Sequence, residues 1–253
     1  MGTGVVMLSD NDTIRYARQV LLDAVGETGQ NQLLSSSVLI VGAGGLGVPL
    51  ATYLAAAGVG CIGLADSDTV EYTNLHRQVA YGPDDVGKSK TACLKKRLLE
   101  NNPNVVVTEH PRLTKENAEQ IMSAYDLVAD GCDNYPTRFL VNAACVKTGT
   151  TLVATALSRF DGQIMAFNGG SPCYQCLVGN MPDQHTAQGC VDGGIVGPVA
   201  GMFGCWQALE IIKQLLKMSS RLTSQLLMVD VINNRNHSIK IKANPQCPVC
   251  GGR

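Results

Sequence analysis

Apolar residues occur along the chain as short continuous runs, separated by longer stretches with helical periodicity. The continuous runs predict buried strands at residues 38–41, 61–65, 105–109 and 125–130. Apolar residues spaced three and four apart predict helices at residues 11–22 and 88–100 and in an alanine-rich stretch that ends at residue 57. Strands that alternate with helices form right-handed βαβ units. We therefore expect an α/β fold with a mainly parallel sheet that is covered on both faces by flanking helices.

The pattern changes beyond residue 150, where strands follow one another more closely. Alternating and apolar stretches predict strands at residues 151–155, 162–167, 225–230 and 237–241. Residues 201–217 have the pattern of a long helix, whereas residues 179–194 lack periodicity and predict a mobile loop. The economical interpretation is one domain, residues 1–253, made of an N-terminal helix at residues 10–35, a core at residues 36–150 and a C-terminal half at residues 151–253.

Composition and charge exclude several classes of function. The chain has 253 residues, of which 45% are hydrophobic, enough for a substantial core. Its 20 Lys and Arg against 21 Asp and Glu give a net charge of -1, without the excess positive charge typical of nucleic-acid binding. No run approaches the about 20 apolar residues of a membrane span, and residues 1–4 do not begin a signal peptide. We therefore expect no nucleic-acid partner, no membrane contact and a cytoplasmic location.

A glycine-rich turn follows the first predicted strand. Gly42, Gly44 and Gly47 fit the pattern G-x-G-x-x-G, with Gly45 inside it, and a helix follows directly. Backbone N–H groups in such a turn can hold phosphate oxygens, and Asp66 ends the next strand, where a carboxylate can accept hydrogen bonds from a ribose. The turn therefore predicts a Rossmann-like nucleotide-binding core, although the glycines alone could also serve tight strand-to-helix packing. Taken by itself, this fingerprint favours a dinucleotide.

Polar residues cluster shortly after the second predicted strand. They are Asp66, Asp68, Asn74, Arg77 and Lys90. Hydride transfer does not require such a set, but nucleotidyl transfer does, because a carboxylate that attacks a phosphate must overcome charge repulsion. Lys90 and Arg77 could stabilise the developing charge, and Asp68 could hold Mg²⁺. Each residue taken alone could equally be an exposed side chain or a turn former.

The order of these motifs resembles a known family. The matching segments are residues 42–47, residues 66–70, residues 74–78, Lys90 and residues 133–134. In this order they are similar to the ThiF/MoeB adenylating enzymes, which are relatives of the catalytic core of ubiquitin-activating E1 enzymes. The resemblance runs from Arg15 to Cys250 and so covers nearly the whole chain.

The resemblance implies a homodimeric enzyme that binds ATP and Mg²⁺. Such an enzyme adenylates the C-terminal glycine of a ubiquitin-like sulfur carrier that ends in Gly-Gly, of the ThiS or MoaD type, and releases pyrophosphate. The implied catalytic residues are Arg77, Lys90, Asp133 and, reaching the ATP of the neighbouring subunit, Arg18. The implied nucleotide-binding residues are Gly42, Gly44, Gly45, Gly47, Asp66, Asp68, Asn74, Arg77, Gln78, Lys90, Asp133 and Asn134. Because no rhodanese-like region follows the core, we expect the sulfur donor to be a separate protein.

Four of the ten cysteines form two C-x-x-C pairs, Cys173 with Cys176 and Cys247 with Cys250. Thiolates in two such pairs can bind a tetrahedral Zn²⁺, but spacing alone leaves a redox dithiol or buried free thiols as alternatives. The resemblance favours zinc, because the family carries a structural Cys₄ site at matching positions. A closed shell of four sulfurs leaves no position open for chemistry, so the metal would staple the C-terminus to the domain.

Cys190 lies in the irregular loop and is a candidate nucleophile. In ThiF-like relatives a cysteine at the matching place bonds covalently to the carrier, whereas MoeB-like relatives work through the adenylate alone. Residues 193–198 and the C-terminal cysteine pair favour the thiazole-forming, ThiF-like branch over the molybdopterin branch. A nicotinamide-dependent oxidoreductase and a zinc-stabilised interaction module remain alternatives.

Overall fold

The computed structural model describes residues 8–181, 194–220 and 222–251. The strands of its sheet are β1 (Ser37–Val41), β2 (Cys61–Ala65), β3 (Val106–His110), β4 (Leu127–Asp130), β5 (Thr151–Ser158), β6 (Asp161–Phe167), β7 (Gln225–Asp230) and β8 (Arg235–Lys240). The α-helices in the described ranges are α1 (Asp10–Val20), α2 (Gly26–Ser35), α3 (Gly47–Ala57), α4 (Lys90–Asn101), α5 (Ala118–Met122), α6 (Tyr135–Thr148), α7 (Tyr174–Val178) and α8 (Gly197–Leu215).

One sheet with the strand order β3-β2-β1-β4-β5-β6-β7-β8 runs through the protein. The first five strands in this order are parallel to their neighbours. From β5 onward the strand pairs are antiparallel. The predicted α/β class with a mostly parallel central sheet is therefore confirmed, and the C-terminal strands extend that sheet at one edge.

The alternation along β1 shows how the sequence fills both faces of the sheet. Val38 and Ile40 belong to the apolar cluster that includes residues of α3, α4 and α8. Leu39 and Val41 belong to the cluster that includes residues of α5 and α6 on the other side. A strand buried on both faces has no polar positions, which explains its continuous apolar run in the sequence. Within the described part of the chain, no helix is both long and apolar enough to cross a membrane.

The N-terminal segment differs from the single helix predicted at residues 10–35. It forms α1 and α2, which are separated by a turn. The apolar face predicted on the first helix is exposed, since Ile14 is 76% and Leu21 72% accessible. The buried residue is Tyr16 instead, whose hydroxyl accepts a 3.0 Å hydrogen bond from Nδ2 of Asn102. A polar contact thus helps to hold α1 against the domain, and its apolar side chains face outward.

The chain changes sides of the sheet between β1 and β4. The helix that follows β1 packs on one face, and α6, which follows β4, packs on the other. The strands are adjacent, and just beyond them Gly131 N–H donates to the carbonyl of Val41 over 3.0 Å. Open α/β sheets bind ligands at such a switch point, outside the carboxyl ends of the strands. The predicted site residues after β1, β2 and β4 follow strands that end at this edge.

Candidate functional site

The glycine turn at the end of β1 has a geometry that only glycine supports. Gly42 has a φ of 97°, in the left-handed region. A Cβ atom on Gly47 would lie 1.8 Å from the carbonyl oxygen of Gly42, so α3 starts in direct contact with the turn. Among the described residues, the N–H groups of Gly44 and Gly45 have no hydrogen-bond partner. These free donors next to a helix N-terminus suit phosphate oxygens.

Two side chains, Asp66 and Tyr81, hydrogen-bond to the backbone of this turn. One carboxylate oxygen of Asp66 accepts a 2.7 Å hydrogen bond from Ala43 N–H, and the other accepts a 2.8 Å bond from Asp68 N–H. The hydroxyl of Tyr81 donates to the carbonyl of Ala43 over 2.8 Å and lies 3.2 Å from that of Lys90. Burial, followed by the charge of Asp66, raises the pKa of Tyr81 far above its ordinary value, so the hydroxyl remains a donor. Both backbone groups of Ala43 are therefore held by side chains, its N–H by Asp66 and its carbonyl by Tyr81.

Lys90 is the first residue of α4 and is 5% exposed. Its Nζ lies 2.9 Å from Oδ2 of Asp68, whose side chain is 67% exposed. The helix is capped by Ser89, whose hydroxyl accepts a 3.3 Å hydrogen bond from Ala92 N–H. Water screens an ion pair between a buried cation and an exposed carboxylate, so the pair is weak. The cation can therefore bind another anion with little loss of free energy. The pair thus combines an anion-binding ammonium with an exposed carboxylate that a metal ion could reach.

A short 3-10 helix, Tyr72–Asn74, comes after β2 in the chain. Its last residue is Asn74, and Arg77 and Gln78 follow shortly after it. The guanidinium of Arg77 donates to Oδ1 of Asn74, and its stem lies 3.5 Å from where a Cβ of Gly45 would stand. Gln78 is 3% exposed, and among the described residues its Oε1 has no hydrogen-bond partner. The structure therefore places Arg77 beside Gly45, and Gln78 beside Gly44, where its Nε2 lies 3.6 Å from the position of a Cβ.

The segment after β4 supplies a further carboxylate. Asp133 is exposed, and its Oδ1 accepts a 3.3 Å hydrogen bond from Nδ2 of Asn134. Asn134 is the N-cap of α6, because its Oδ1 accepts a 2.9 Å hydrogen bond from Thr137 N–H. Asn134 thus has a structural role in the helix start, whereas Asp133 remains open to a ligand.

Arg18 and Cys190 stand apart from the other predicted residues. Arg18 is exposed in the last turn of α1, and among the described residues it has no hydrogen-bond or ion-pair partner. Its side chain is therefore not joined to the glycine turn by a polar contact within the described residues. Cys190, and residues 182–193 of the predicted loop, lie outside the described residues.

The four cysteines of the C-x-x-C pairs meet in space. Cys173 and Cys176 lie at the start of and within α7, and Cys247 and Cys250 lie near the end of the chain. Their four sulfurs lie within 4.8 Å of one another, with Cys173 and Cys247 Sγ 3.8 Å apart and Cys176 and Cys250 Sγ 3.3 Å apart. Sulfurs bound about 2.3 Å from a tetrahedral zinc ion are about 3.8 Å apart. The donor set and its dimensions therefore fit Zn²⁺.

Hydrogen bonds prepare these thiols for a cation. The side-chain amide of Asn142 donates to Cys173 Sγ over 3.6 Å, and Asn244 N–H donates to Cys176 Sγ over 3.4 Å. Burial acts to raise the pKa of Cys247, but hydrogen bonds from the N–H groups of Cys250 and Val249 and from the thiols of Cys250 and Cys173 together lower that pKa to about 7. Thiolates are the metal-binding form, so the donors around Cys247 favour a cation at that sulfur, whereas burial raises the pKa of Cys173 and of Cys250.

Two charged residues at the site were not predicted from the sequence. Asp130, the last residue of β4, and Arg138, in α6, form a buried ion pair with Nε 3.2 Å from Oδ2. The apolar pattern of the sequence did not indicate either residue, because Asp130 ends an apolar strand and Arg138 lies in a helix that the pattern did not predict. An aspartate at the end of a buried strand, followed by an arginine one turn into the next helix, is the signal that could have indicated them.

The arrangement can bind a nucleotide and stabilise charge on its phosphates. Free N–H groups lie in the glycine turn, Arg77 packs beside Gly45, and Lys90 is linked to the turn through the hydroxyl of Tyr81. The carboxylates of Asp68 and Asp133 are exposed near the same edge and supply the oxygen ligands that Mg²⁺ prefers. The closeness of Gly47 to Gly42 serves tight strand-to-helix packing, whereas the buried Oε1 of Gln78, unpartnered among the described residues, leaves an acceptor open to a ligand.

Comparison with known proteins gives consistent matches. The model of the ThiF family matches residues 16–249. The "Sulfur carrier protein adenylyltransferase" of Thermus thermophilus is 44% identical over 244 residues, which cover 94% of this chain and 90% of that protein. "Adenylyltransferase and sulfurtransferase MOCS3" of Caenorhabditis briggsae is 43% identical over 98% of this chain, but the chain spans 62% of its length. For the Mus musculus protein of that name, the chain spans 54%.

The fold also matches solved structures. The crystal structure of E. coli MccB with ATP superposes with a TM-score of 0.82 at 26% identity, over 94% of this chain and 75% of that one. The complex of E. coli MccB with MccA-N7isoASN gives a TM-score of 0.81 at 27% identity, over 94% of this chain and 75% of that one.

Proposed function

The chain belongs to the ThiF family, and from that premise we propose that it is an ATP-dependent adenylyltransferase. Its substrate is the C-terminal glycine carboxylate of a ubiquitin-like sulfur carrier that ends in Gly-Gly. The observation that supports this function best is the pair of N–H groups at Gly44 and Gly45 that are free among the described residues, with Arg77 beside the turn and Lys90 linked to it through Tyr81. N–H groups that can bind phosphate oxygens, together with cations at the same edge of the sheet, suit transfer of a nucleotidyl group better than hydride transfer.

In the proposed reaction, a carboxylate oxygen of the carrier attacks the α-phosphorus of ATP. The new P–O bond forms as the bond between the α- and β-phosphates breaks, and pyrophosphate leaves with its electron pair. Lys90 and Arg77 offset the negative charge that accumulates on the phosphates. Asp68 and Asp133 would hold Mg²⁺, which neutralises phosphate charge when bound. Asp66 would keep the turn in place and offer its remaining lone pairs to the ribose.

We further propose that two chains form a homodimer and that Arg18 reaches the ATP of the neighbouring subunit. Ile14, Leu21 and Leu22 on and after α1 are 76%, 72% and 57% exposed, an apolar surface beside Arg18. Apolar surface of this kind favours burial against a partner. Arg18 itself has no partner among the described residues, so it is available to an anion from outside the chain.

The cysteine cluster supports a structural Zn²⁺ as part of this proposal. It would join α7 to the C-terminal residues without entering the reaction, because four sulfurs close the coordination shell. Metal-binding thiols must stay reduced, which agrees with a cytoplasmic location. The sulfur donor is proposed to be a separate protein.

The carrier is proposed to serve thiamine or molybdopterin biosynthesis, with the ThiF-like mode favoured by the sequence near Cys190. In that mode Cys190 bonds covalently to the carrier. In the MoeB-like mode the adenylate passes directly to the sulfur donor. Affinity purification from native cells followed by mass spectrometry identifies the carrier and so decides the pathway.

ATP–pyrophosphate exchange tests the proposed function. We expect exchange only when a carrier with a free C-terminal Gly-Gly is present together with Mg²⁺. A nicotinamide oxidoreductase would instead change the absorbance of NADH or NADPH with a small substrate. Absence of exchange with ThiS-like and MoaD-like carriers, together with such an absorbance change, would overturn the proposal.

A further inference from the structure

A buried charged cluster lies directly beneath the segment that carries Asp133. Asp130 is fully buried and Arg138 is 5% exposed. Arg138 Nη2 donates to the carbonyls of Cys132 and Thr155, each over 2.8 Å. Its Nε lies 3.2 Å from Asp130 Oδ2, which receives no well-directed hydrogen bond from the described residues. The guanidinium therefore balances the charge of the Asp130 carboxylate, while its well-directed hydrogen bonds go to backbone carbonyls.

These contacts fix the backbone on both sides of Asp133. Asp130 Oδ1 accepts a 2.9 Å hydrogen bond from Cys132 N–H, and Arg138 binds the carbonyl of the same residue. That carbonyl belongs to the peptide bond that joins Cys132 to Asp133. On the far side, Asn134 is fixed as the N-cap of α6. Asp133 is thus an exposed residue whose backbone is held on both sides, by the buried cluster at Cys132 and by the helix cap at Asn134.

The same arginine also contacts the metal-binding segment. Its guanidinium carbon lies 5.7 Å from the ring centre of Tyr174, which follows Cys173 directly. One turn further along α6, Asn142 accepts a 2.9 Å hydrogen bond from Tyr174 N–H and donates to Cys173 Sγ. Helix α6 thus touches the cysteine cluster with one side chain and the Asp133 segment with another.

We propose that Arg138 is a positioning residue that holds Asp133 in place to bind Mg²⁺. Through Tyr174, it also links the Asp133 segment to the segment that carries Cys173 of the cysteine cluster. The proposal rests on the proposed function, because it assumes that Asp133 binds Mg²⁺. Arginine suits the task because its planar fork reaches two carbonyls and a carboxylate at once. A lysine retains the charge that Asp130 requires but cannot make all three contacts. Arg138→Lys therefore removes positioning without leaving a buried charge unpaired.

The test is a magnesium titration of carrier-dependent pyrophosphate exchange at fixed ATP, with the zinc-loaded protein. For Arg138→Lys we expect the half-saturating Mg²⁺ concentration to rise by about 10- to 100-fold, the usual loss when a partner that orients a metal ligand is changed. For Tyr174→Leu, which removes the ring but none of the hydrogen bonds to the Asp133 segment, we expect a rise of about two- to fivefold. Tyr174→Leu also serves if Arg138→Lys does not fold.

Glu210→Gln is the matched control. Glu210 is also fully buried and ion-paired, with Lys213, but it lies toward the far end of α8. This variant should lower thermal stability and leave the half-saturating Mg²⁺ concentration unchanged. An unchanged Mg²⁺ dependence in Arg138→Lys would overturn the inference, because a purely structural arginine would alter only the amount of active protein. If the wild type shows no exchange at all, the proposed function fails instead.

Discussion

Lys90→Met separates the catalytic from the structural role of a buried lysine. In the wild type, the ammonium lies 2.9 Å from Asp68 at the first residue of α4. Methionine has a similar length and fills the same space without the charge. If the ammonium serves the phosphates of ATP, its loss should affect the reaction far more than the fold.

The structure indicates how small the effect on stability should be. Asp68 is 67% exposed, so the ion pair contributes at most about 1 kcal/mol. The positive end of the helix dipole disfavours a cation at the start of α4 by about 0.3–1 kcal/mol. These contributions oppose each other, so we expect the free energy of unfolding to change by less than about 1 kcal/mol. Exchange should fall on the order of a hundred- to a thousandfold, the usual loss when one stabilising group is removed from a transition state.

The assay pairs urea denaturation with carrier-dependent ATP–pyrophosphate exchange, both on zinc-loaded protein. Lys95→Met is the matched control, because Lys95 lies on the same helix, is 38% exposed and pairs with Glu109 over 3.8 Å. It should leave exchange unchanged. Destabilisation of Lys90→Met by more than about 3 kcal/mol, the cost of breaking a buried ion pair, would show a structural role instead. Exchange by Lys90→Met at the wild-type rate would remove Lys90 from the phosphate site.

Three further predictions concern other parts of the site. Asp133→Ala and Arg77→Ala should abolish exchange while circular dichroism and thermal stability stay at wild-type values, and an active variant would exclude that residue. Purified protein should contain about one zinc per chain by atomic absorption, and Cys247→Ser should lower both zinc content and melting temperature, because a structural site couples binding to folding. Full zinc content in that variant would exclude Cys247 as an essential ligand. Cys190→Ala should retain exchange but lose any reductant-sensitive carrier conjugate in intact-protein mass spectrometry and lose downstream sulfur transfer. Normal sulfur transfer would favour the MoeB-like mode.

The parallel part of the fold could be predicted because its strands are buried on both faces. The run at residues 38–41 matches β1 closely for this reason. The single helix predicted at residues 10–35 did not separate α2 from α1, because α2 begins at Gly26 without a capping side chain and buries a glutamine, Gln30. Helix α6 was missed because two of its buried positions are Arg138 and Asn142. Buried polar residues break the apolar periodicity on which such predictions depend.

The candidate site shows the same division between local and distant information. Local order in the sequence was enough to indicate the glycine turn with Lys90 and Arg77, because each motif follows a strand that ends at one edge. The pairing of Cys173 with Cys247 required the fold, since the two residues lie 74 positions apart. The role of Arg138 also required it, because its partners are backbone carbonyls that no side-chain pattern reveals.

Intact-mass spectrometry of the carrier tests the central claim most directly. The chain is incubated with ATP, Mg²⁺ and a carrier that ends in Gly-Gly, and the carrier is then weighed alongside a version with an amidated C-terminus. We predict that the free carboxylate gains the mass of one AMP while pyrophosphate appears, and that the amidated carrier gains nothing. AMP on the amidated carrier would contradict carboxylate activation, and consumption of ATP without AMP on either carrier would contradict adenylation itself.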